Sequence, residues 1–169
     1  IIKSRPLMER VVDSARLQLS YYAVGKIKNL NIYKSCPFQL DIFKINDSLT
    51  PFRLDISFEG NDEFKIGKEK TTFKTGQLFE NIFGVFRITK KIAAGGLTGK
   101  KYYVEWNPTR SQAAAYAPLI RVSPKIAGSN IYKIEIDYPN AQLGADIINS
   151  VMKLYLQASI EDKNVTIKQ

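Results

Sequence analysis

The sequence predicts an α+β fold: a mixed sheet packed by N- and C-terminal helices, with a β-rich insertion in the middle. Three patterns predict it. Apolar residues recur at helical spacing near the start, alternate at strand spacing from Phe38 to Val104, and close the chain as one alternating strand leading into a long amphipathic helix. The expected organisation is one domain, with residues 1–37 and 111–169 as an α/β base and residues 38–110 as the insertion.

In the first segment Ser4 stands at an N-cap position with Pro6 in the first turn, and Leu7, Val11, Val12 and Ala15 form one apolar stripe. Tyr21, Tyr22 and Gly25 predict a turn out of this helix into strand structure. In the insertion, Phe38, Leu40 and Ile42 alternate with Gln39 and Asp41. Phe52, Leu54, Ile56 and Phe58 alternate with Arg53, Asp55 and Ser57. Gly60, Asn61 and Asp62 then predict a hairpin into Phe64 and Ile66. Two further strands are predicted over residues 85–89 and 102–106, joined by a loop rich in Lys and Gly. Asn107, Pro108 and Thr109 introduce a short helix over residues 111–115, and a strand follows near residues 119–123.

At the far end Tyr132, Ile134, Ile136 and Tyr138 alternate with Lys133, Glu135 and Asp137, which predicts a strand buried on its Tyr and Ile side. Asn140 is placed to cap a helix whose apolar face is Leu143, Ile147, Val151, Leu154 and Ala158. The polar stretch after Ala158 contains no Gly or Pro stop, so the helix is expected to continue into a longer parent chain. The start shows no signal-peptide pattern, and no apolar run approaches the roughly 18–20 residues of a membrane-spanning helix.

Composition narrows the chemistry. At 169 residues and 44% hydrophobic content the chain can bury a sizeable core. It has no His, which removes imidazole from general-base, nucleophile-activating and metal-binding roles. The single cysteine, Cys36, stands before Pro37 and Phe38 and is read as a packing residue. No catalytic residue, cofactor site or metal site is expected. The nearest candidates for paired-carboxylate catalysis, Asp55, Glu59, Asp62 and Glu63, sit around a hairpin where acidic residues are normally just solvated.

The net charge of +9 raises the question of an anionic partner. The densest basic cluster is Lys90, Lys91, Lys100 and Lys101, flanking a Gly-rich loop that is read as a solvated hairpin tip. These four lysines are the candidate contact for an anionic surface; nucleic acid is not the expected partner. The loop nearly mimics a P-loop, but position 94 is Ala where a Gly is needed. Position 101 is Lys where a Ser or Thr hydroxyl would ligate Mg²⁺. Tyr21, Tyr22, Tyr102, Tyr103 and Trp106 have the rings to stack on sugars, although alternating aromatics in strands are more often packing residues. The tripeptides Asn46-Asp47-Ser48 and Asn164-Val165-Thr166 fit a glycosylation pattern too short to carry weight.

The two ends carry a resemblance. The segment Ile2-Lys3-Ser4-Arg5-Pro6-Leu7-Met8-Glu9-Arg10-Val11-Val12, with Leu17, Tyr21 and Tyr22, resembles the start of the periplasmic region of polysaccharide co-polymerases. These are the Wzz-type chain-length determinants, and the related bacterial transmembrane tyrosine autokinases share the region. Ile134 to Asn149, then Tyr155 and Ile160-Glu161-Asp162-Lys163, is similar to the second half-motif of that family, where a strand runs into a long periplasmic helix. The two blocks cover about a third of the chain. The β-rich middle resembles insertions in the versions from Bacteroidetes-type bacteria.

The resemblance implies a periplasmic domain of a bacterial inner-membrane protein, with membrane helices outside these residues and, in some members, a cytoplasmic tyrosine kinase domain. It implies regulation of capsular polysaccharide, exopolysaccharide or O-antigen chain length or export. The partners would be further copies in a homo-oligomer and the polysaccharide polymerase or export machinery, and the mode of action would be assembly rather than catalysis. The rival expectation is a stand-alone basic module binding an acidic polymer or membrane surface.

Overall fold

The structure, a computed structural model, describes residues 2–91, 96–126 and 131–167, with side chains of the last helix described as far as residue 161. In chain order the elements are α1 (Arg5–Ser14), β1 (Leu19–Ala23), β2 (Leu30–Asn31), β3 (Phe38–Ile45), β4 (Phe52–Phe58), β5 (Glu63–Ile66), β6 (Phe73–Lys74), β7 (Leu78–Asn81), β8 (Gly84–Lys90), β9 (Lys101–Trp106), α2 (Thr109–Tyr116), β10 (Ile120–Pro124), β11 (Tyr132–Ile136) and α3 (Ala141–Ile167). The fold is α+β, with helices at both ends. Contacts divide it into two compact units, Ile1–Gln18 with Thr109–Gln169, and Leu19–Pro108.

The first unit is built from α1, α2, the β10–β11 ribbon and α3. Helix α1 buries Leu7, Met8, Val11 and Val12 and packs against α2 and α3. It stops earlier than the Tyr21–Gly25 signal implied. Arg16 takes a left-handed conformation (φ 52°), its N–H donates to Asp13 O, and Leu17 N–H donates to Val12 O. That pair of bonds is the Schellman helix end, here without the usual glycine, so the sequence carried no obvious stop. Asp13 then ties the unit together: its Oδ1 accepts from Gln18 Nε2 at 2.7 Å and from Thr109 Oγ1 at 2.6 Å. These are the two points where the chain leaves and re-enters the unit.

Helix α3 begins as its sequence indicates. Leu143 N–H donates to Asn140 Oδ1 at 3.0 Å, so the cap side chain takes up one of the orphan amides of the first turn. Leu143, Ile147, Val151 and Leu154 are buried. The ribbon departs from expectation. Its apolar face pairs Ile120 with Ile136, Val122 with Ile134 and Pro124 with Tyr132. Ile120 is fully buried and Ile136 half-buried, whereas Tyr132 is 60% exposed. The face is therefore covered at one end only. Helix α3 meets the ribbon at its Ile136 end, where a Cβ built at Gly144 would lie 3.2 Å from Ile136 Cγ2.

The second unit is a sandwich of two antiparallel sheets, ordered β2-β1-β9-β4-β5-β6 and β3-β8-β7. The β-rich region thus starts at Leu19 rather than residue 38, because β1 pairs along its whole length with β9. Alternation in β4 buries Phe52, Leu54, Ile56 and Phe58 while Arg53 and Asp55 face water. Rings from both sheets meet in the core. Phe38 lies 5.3 Å from Tyr102 edge-on, Phe52 stacks on Trp106 at 5.4 Å, and Phe79 lies between Phe64 and Phe86 at 5.6 and 5.7 Å. The Gly60-Asn61-Asp62 hairpin forms, pairing Phe58 with Phe64.

The expected hairpin between residues 85–89 and 102–106 does not. Strand β8 belongs to the three-stranded sheet and β9 to the six-stranded one, so the intervening segment passes from sheet to sheet instead of capping a hairpin. Each strand satisfies its backbone with another partner: β8 with β3 and β7, β9 with β1 and β4. Residues 92–95 of that segment lie outside the described residues.

Candidate functional site

The segment that enters β9 is held by backbone bonds before any lysine side chain is considered. Leu97 is buried and donates its N–H to Asn61 Oδ1 at 3.0 Å. Lys100 N–H donates to Leu97 O, closing a four-residue turn in which Gly99 has φ +73°, the left-handed geometry that favours glycine there. Gly99 N–H donates to Phe58 O and Phe58 N–H to Lys100 O, at 2.8 and 3.0 Å, which fastens the turn to the end of β4. On the other side, Val24 N–H donates to Lys101 O at 3.0 Å, so β1 runs alongside. The chain then turns at Gly25, where an added Cβ would collide with the Lys28 carbonyl oxygen; no larger residue fits that turn without moving backbone.

The two turns enclose a surface cavity of about 520 Å³, lined by residues 23–26 and 99–102. Its floor is apolar, from Ala23, Val24 and the largely buried Tyr102, and its rim is basic, from Lys26, Lys100 and Lys101. Among the described residues no carboxylate lies within ion-pairing distance of any of these three lysines.

The four lysines singled out in the sequence therefore separate. Lys90 Nζ lies 3.5 Å from Asp62 Oδ1, and Lys91 Nζ donates to Lys34 O at 3.2 Å, so both serve local structure. Lys100 and Lys101 line the cavity, where they are joined by Lys26, which sequence reasoning missed. Lys26 lies more than seventy positions away in sequence, and the signal that could have found it is the pairing of β1 with β9.

The other candidates resolve differently. Tyr102 and Trp106 point into the core, and Tyr21 packs against it with its hydroxyl oxygen accepting from Leu40 N–H. Burial pushes the Tyr21 phenol up to about 12. Tyr103 lies on the outer face, but Tyr22 stacks on it at 4.6 Å and the Arg53 guanidinium sits 3.6 Å from its ring centre. Since β9 runs between β1 and β4, both faces of that ring are occupied. Of the carboxylates, Asp55 pairs with Arg53 at 2.6 Å and Glu59 with Lys65 at 3.7 Å; Asp62 is held by Lys90, and Glu63 is solvent-exposed.

Cys36 is buried, and burial pushes its thiol up to about 11. Asn46 Nδ2 donates to Ile82 O, while the side chain of Asn164 lies outside the described residues.

No family model matches this chain, and no curated protein matches it.

Proposed function

We propose that this chain is the periplasmic part of an inner-membrane polysaccharide co-polymerase, acting on polysaccharide chain length or export by assembly with further copies and with the polymerase or export machinery. The observation that carries the reading is the placement of the two resemblance blocks. Helix α1 and the β11–α3 segment are separated by more than a hundred residues, yet fold into one compact unit. The sandwich is inserted between them, as an elaboration on that shared base would be.

A second feature suits assembly. Met152, Leu156 and Ile160 recur every fourth residue on α3 and are exposed, forming an apolar stripe opposite the buried Ile147 and Val151. A second copy is the occupant this reading gives to that stripe. The rival reading, a stand-alone basic module, has the lysine-rimmed cavity in its favour.

The test is membrane topology and polymer length in the cell. Reporter fusions to the parent protein are expected to place residues 1–169 in the periplasm between two membrane helices, and deletion of the parent gene is expected to change the length distribution of surface polysaccharide on a gel. A parent without flanking membrane helices would overturn the proposal.

A further inference from the structure

We infer that the cavity rimmed by Lys26, Lys100 and Lys101 binds one acidic sugar unit of a linear anionic polysaccharide, with the carboxylate or sulfate among the three ammonium groups and the ring lying over Val24. This deepens the function proposed above and rests on it for the polymer being a polysaccharide.

The charge arrangement comes first. Elsewhere in the sandwich Arg53, Lys65, Arg87 and Lys90 stand beside Asp55, Glu59, Asp41 and Asp62, while Lys28, Lys44, Lys68, Lys70 and Lys74 are exposed and have no ion pair among the described residues. What sets the cavity apart is that three lysines from two chain segments line it together, without a matching acid among the described residues. Both segments are pinned by backbone bonds and by glycines that their turns require, so the main chain sets the positions from which the three lysines project. Held cations without counter-charges repel one another and gain from an anion placed between them.

Size and surface then select the class of anion. About 520 Å³ is far more than a bare inorganic anion occupies and falls in the range of sites that hold a ring-sized ligand. Val24 offers exposed methyl groups on the floor, the kind of surface that suits the C–H face of a saturated ring. The basic groups are lysines, compact charges without the planar fork that arginine uses to grip phosphate in two places. The neighbouring aromatic pair that would otherwise serve as a stacking platform for bases is closed, with Tyr103 held between Tyr22 and Arg53. An acidic carbohydrate matches these features better than a nucleic acid strand does, and the open cavity lets a polymer pass across it.

The experiment is calorimetric titration of the 169-residue chain at about 20 mM salt with oligogalacturonate, galacturonic acid monomer, maltooligosaccharide of equal length, inorganic phosphate, oligothymidylate and phosphatidylglycerol vesicles. Oligogalacturonate is expected to bind more tightly than every other probe. Lys26→Gln/Lys100→Gln/Lys101→Gln is expected to weaken it about tenfold or more. Lys44→Gln/Lys68→Gln/Lys70→Gln, which removes the same charge from exposed positions elsewhere, is expected to change it less than about threefold.

All six lysines are exposed, so circular dichroism melting should show each variant folded like the parent. Equal weakening in both triple variants would overturn the site, leaving only diffuse attraction to a basic chain, and so would absence of binding by oligogalacturonate. A site that depends on the three cavity lysines but prefers oligothymidylate, phosphate or vesicles would overturn the acidic-sugar assignment. The flanking membrane helices are tested separately, so this inference and the family proposal can fail independently.

Discussion

The two units solve the burial problem with different materials. All nine phenylalanines fall in the sandwich, between Phe38 and Phe86, and eight of them, with Tyr102 and Trp106, lie in or against its core. The helical unit buries mostly aliphatic side chains, Leu7, Met8, Val11, Val12, Leu143, Ile147, Val151 and Leu154, with Tyr116 as a buried aromatic edge-on to Tyr138. Large rings span the gap between two facing sheets, where each strand offers one side chain every second residue. Helices at close approach need smaller, interdigitating chains.

The exposed apolar residues differ too. In the sandwich most stand singly at turns, such as Ile27, Leu49 and Ile82, whereas in the helical unit they gather on one face of α3 and at the open end of the ribbon. Scattered apolar residues are ordinary, whereas the collected stripe on α3 is the surface that the proposed second copy would cover. The sandwich closes on itself, and the helical unit leaves an apolar face open.

That contrast can be broken in order of expected effect. Phe86→Ala removes a fully buried ring from the sandwich and should cost about 3–5 kcal/mol, read in urea by the fluorescence of the single tryptophan, Trp106, stacked in the same core. Ile147→Ala empties a site in the helical unit and should cost about 2–5 kcal/mol, read by the far-ultraviolet helix signal. If both variants shift both signals alike, the two units do not unfold as separable bodies. Asn140→Ala should remove about 1 kcal/mol by leaving the Leu143 amide without its cap, seen as a lower melting temperature on the helix signal.

The last effect, absent at neutral pH, is alkaline. Cys36 rises from its ordinary 9.0 to about 11 through burial, so the folded state holds the thiol proton more firmly than the unfolded chain does. The associated stability is complete below pH 9.0 and should be lost as the pH climbs towards about 11. The urea midpoint of the sandwich should fall over that window, and Cys36→Ala should flatten the fall, leaving the part due to Tyr21, whose phenol is raised to about 12 for the same reason.

Much of the fold was legible because its signals are local. The alternation in Phe52–Phe58 fixed which side of β4 is buried, and the Asn140 cap with its four-residue apolar spacing fixed the start and buried face of α3. The end of α1 was not legible, because Arg16 adopts a conformation normally signalled by glycine. Strand β7 was missed for a related reason: its four residues bury only Phe79 fully, so no alternation stands out.

The candidate site was half legible. Lys100 and Lys101 are visible as a basic pair, but the turn that adds Lys26 and the contacts that occupy Lys90 and Lys91 depend on partners far away in sequence.

The sequence by itself determined the α+β class, the two amphipathic helices and the inward side of the best-patterned strands, since each follows from the spacing of apolar residues along a few turns or a few strand positions. The tertiary structure alone decided which strands are neighbours. Strands β8 and β9 follow each other in the chain with matching patterns, yet lie in opposite sheets. Alternation specifies a face and says nothing about a partner, and partners are chosen by how the whole set of strands closes around one core. The lysine-rimmed cavity is a consequence of that choice, because the pairing of β1 with β9 is what carries Lys26 to Lys100 and Lys101.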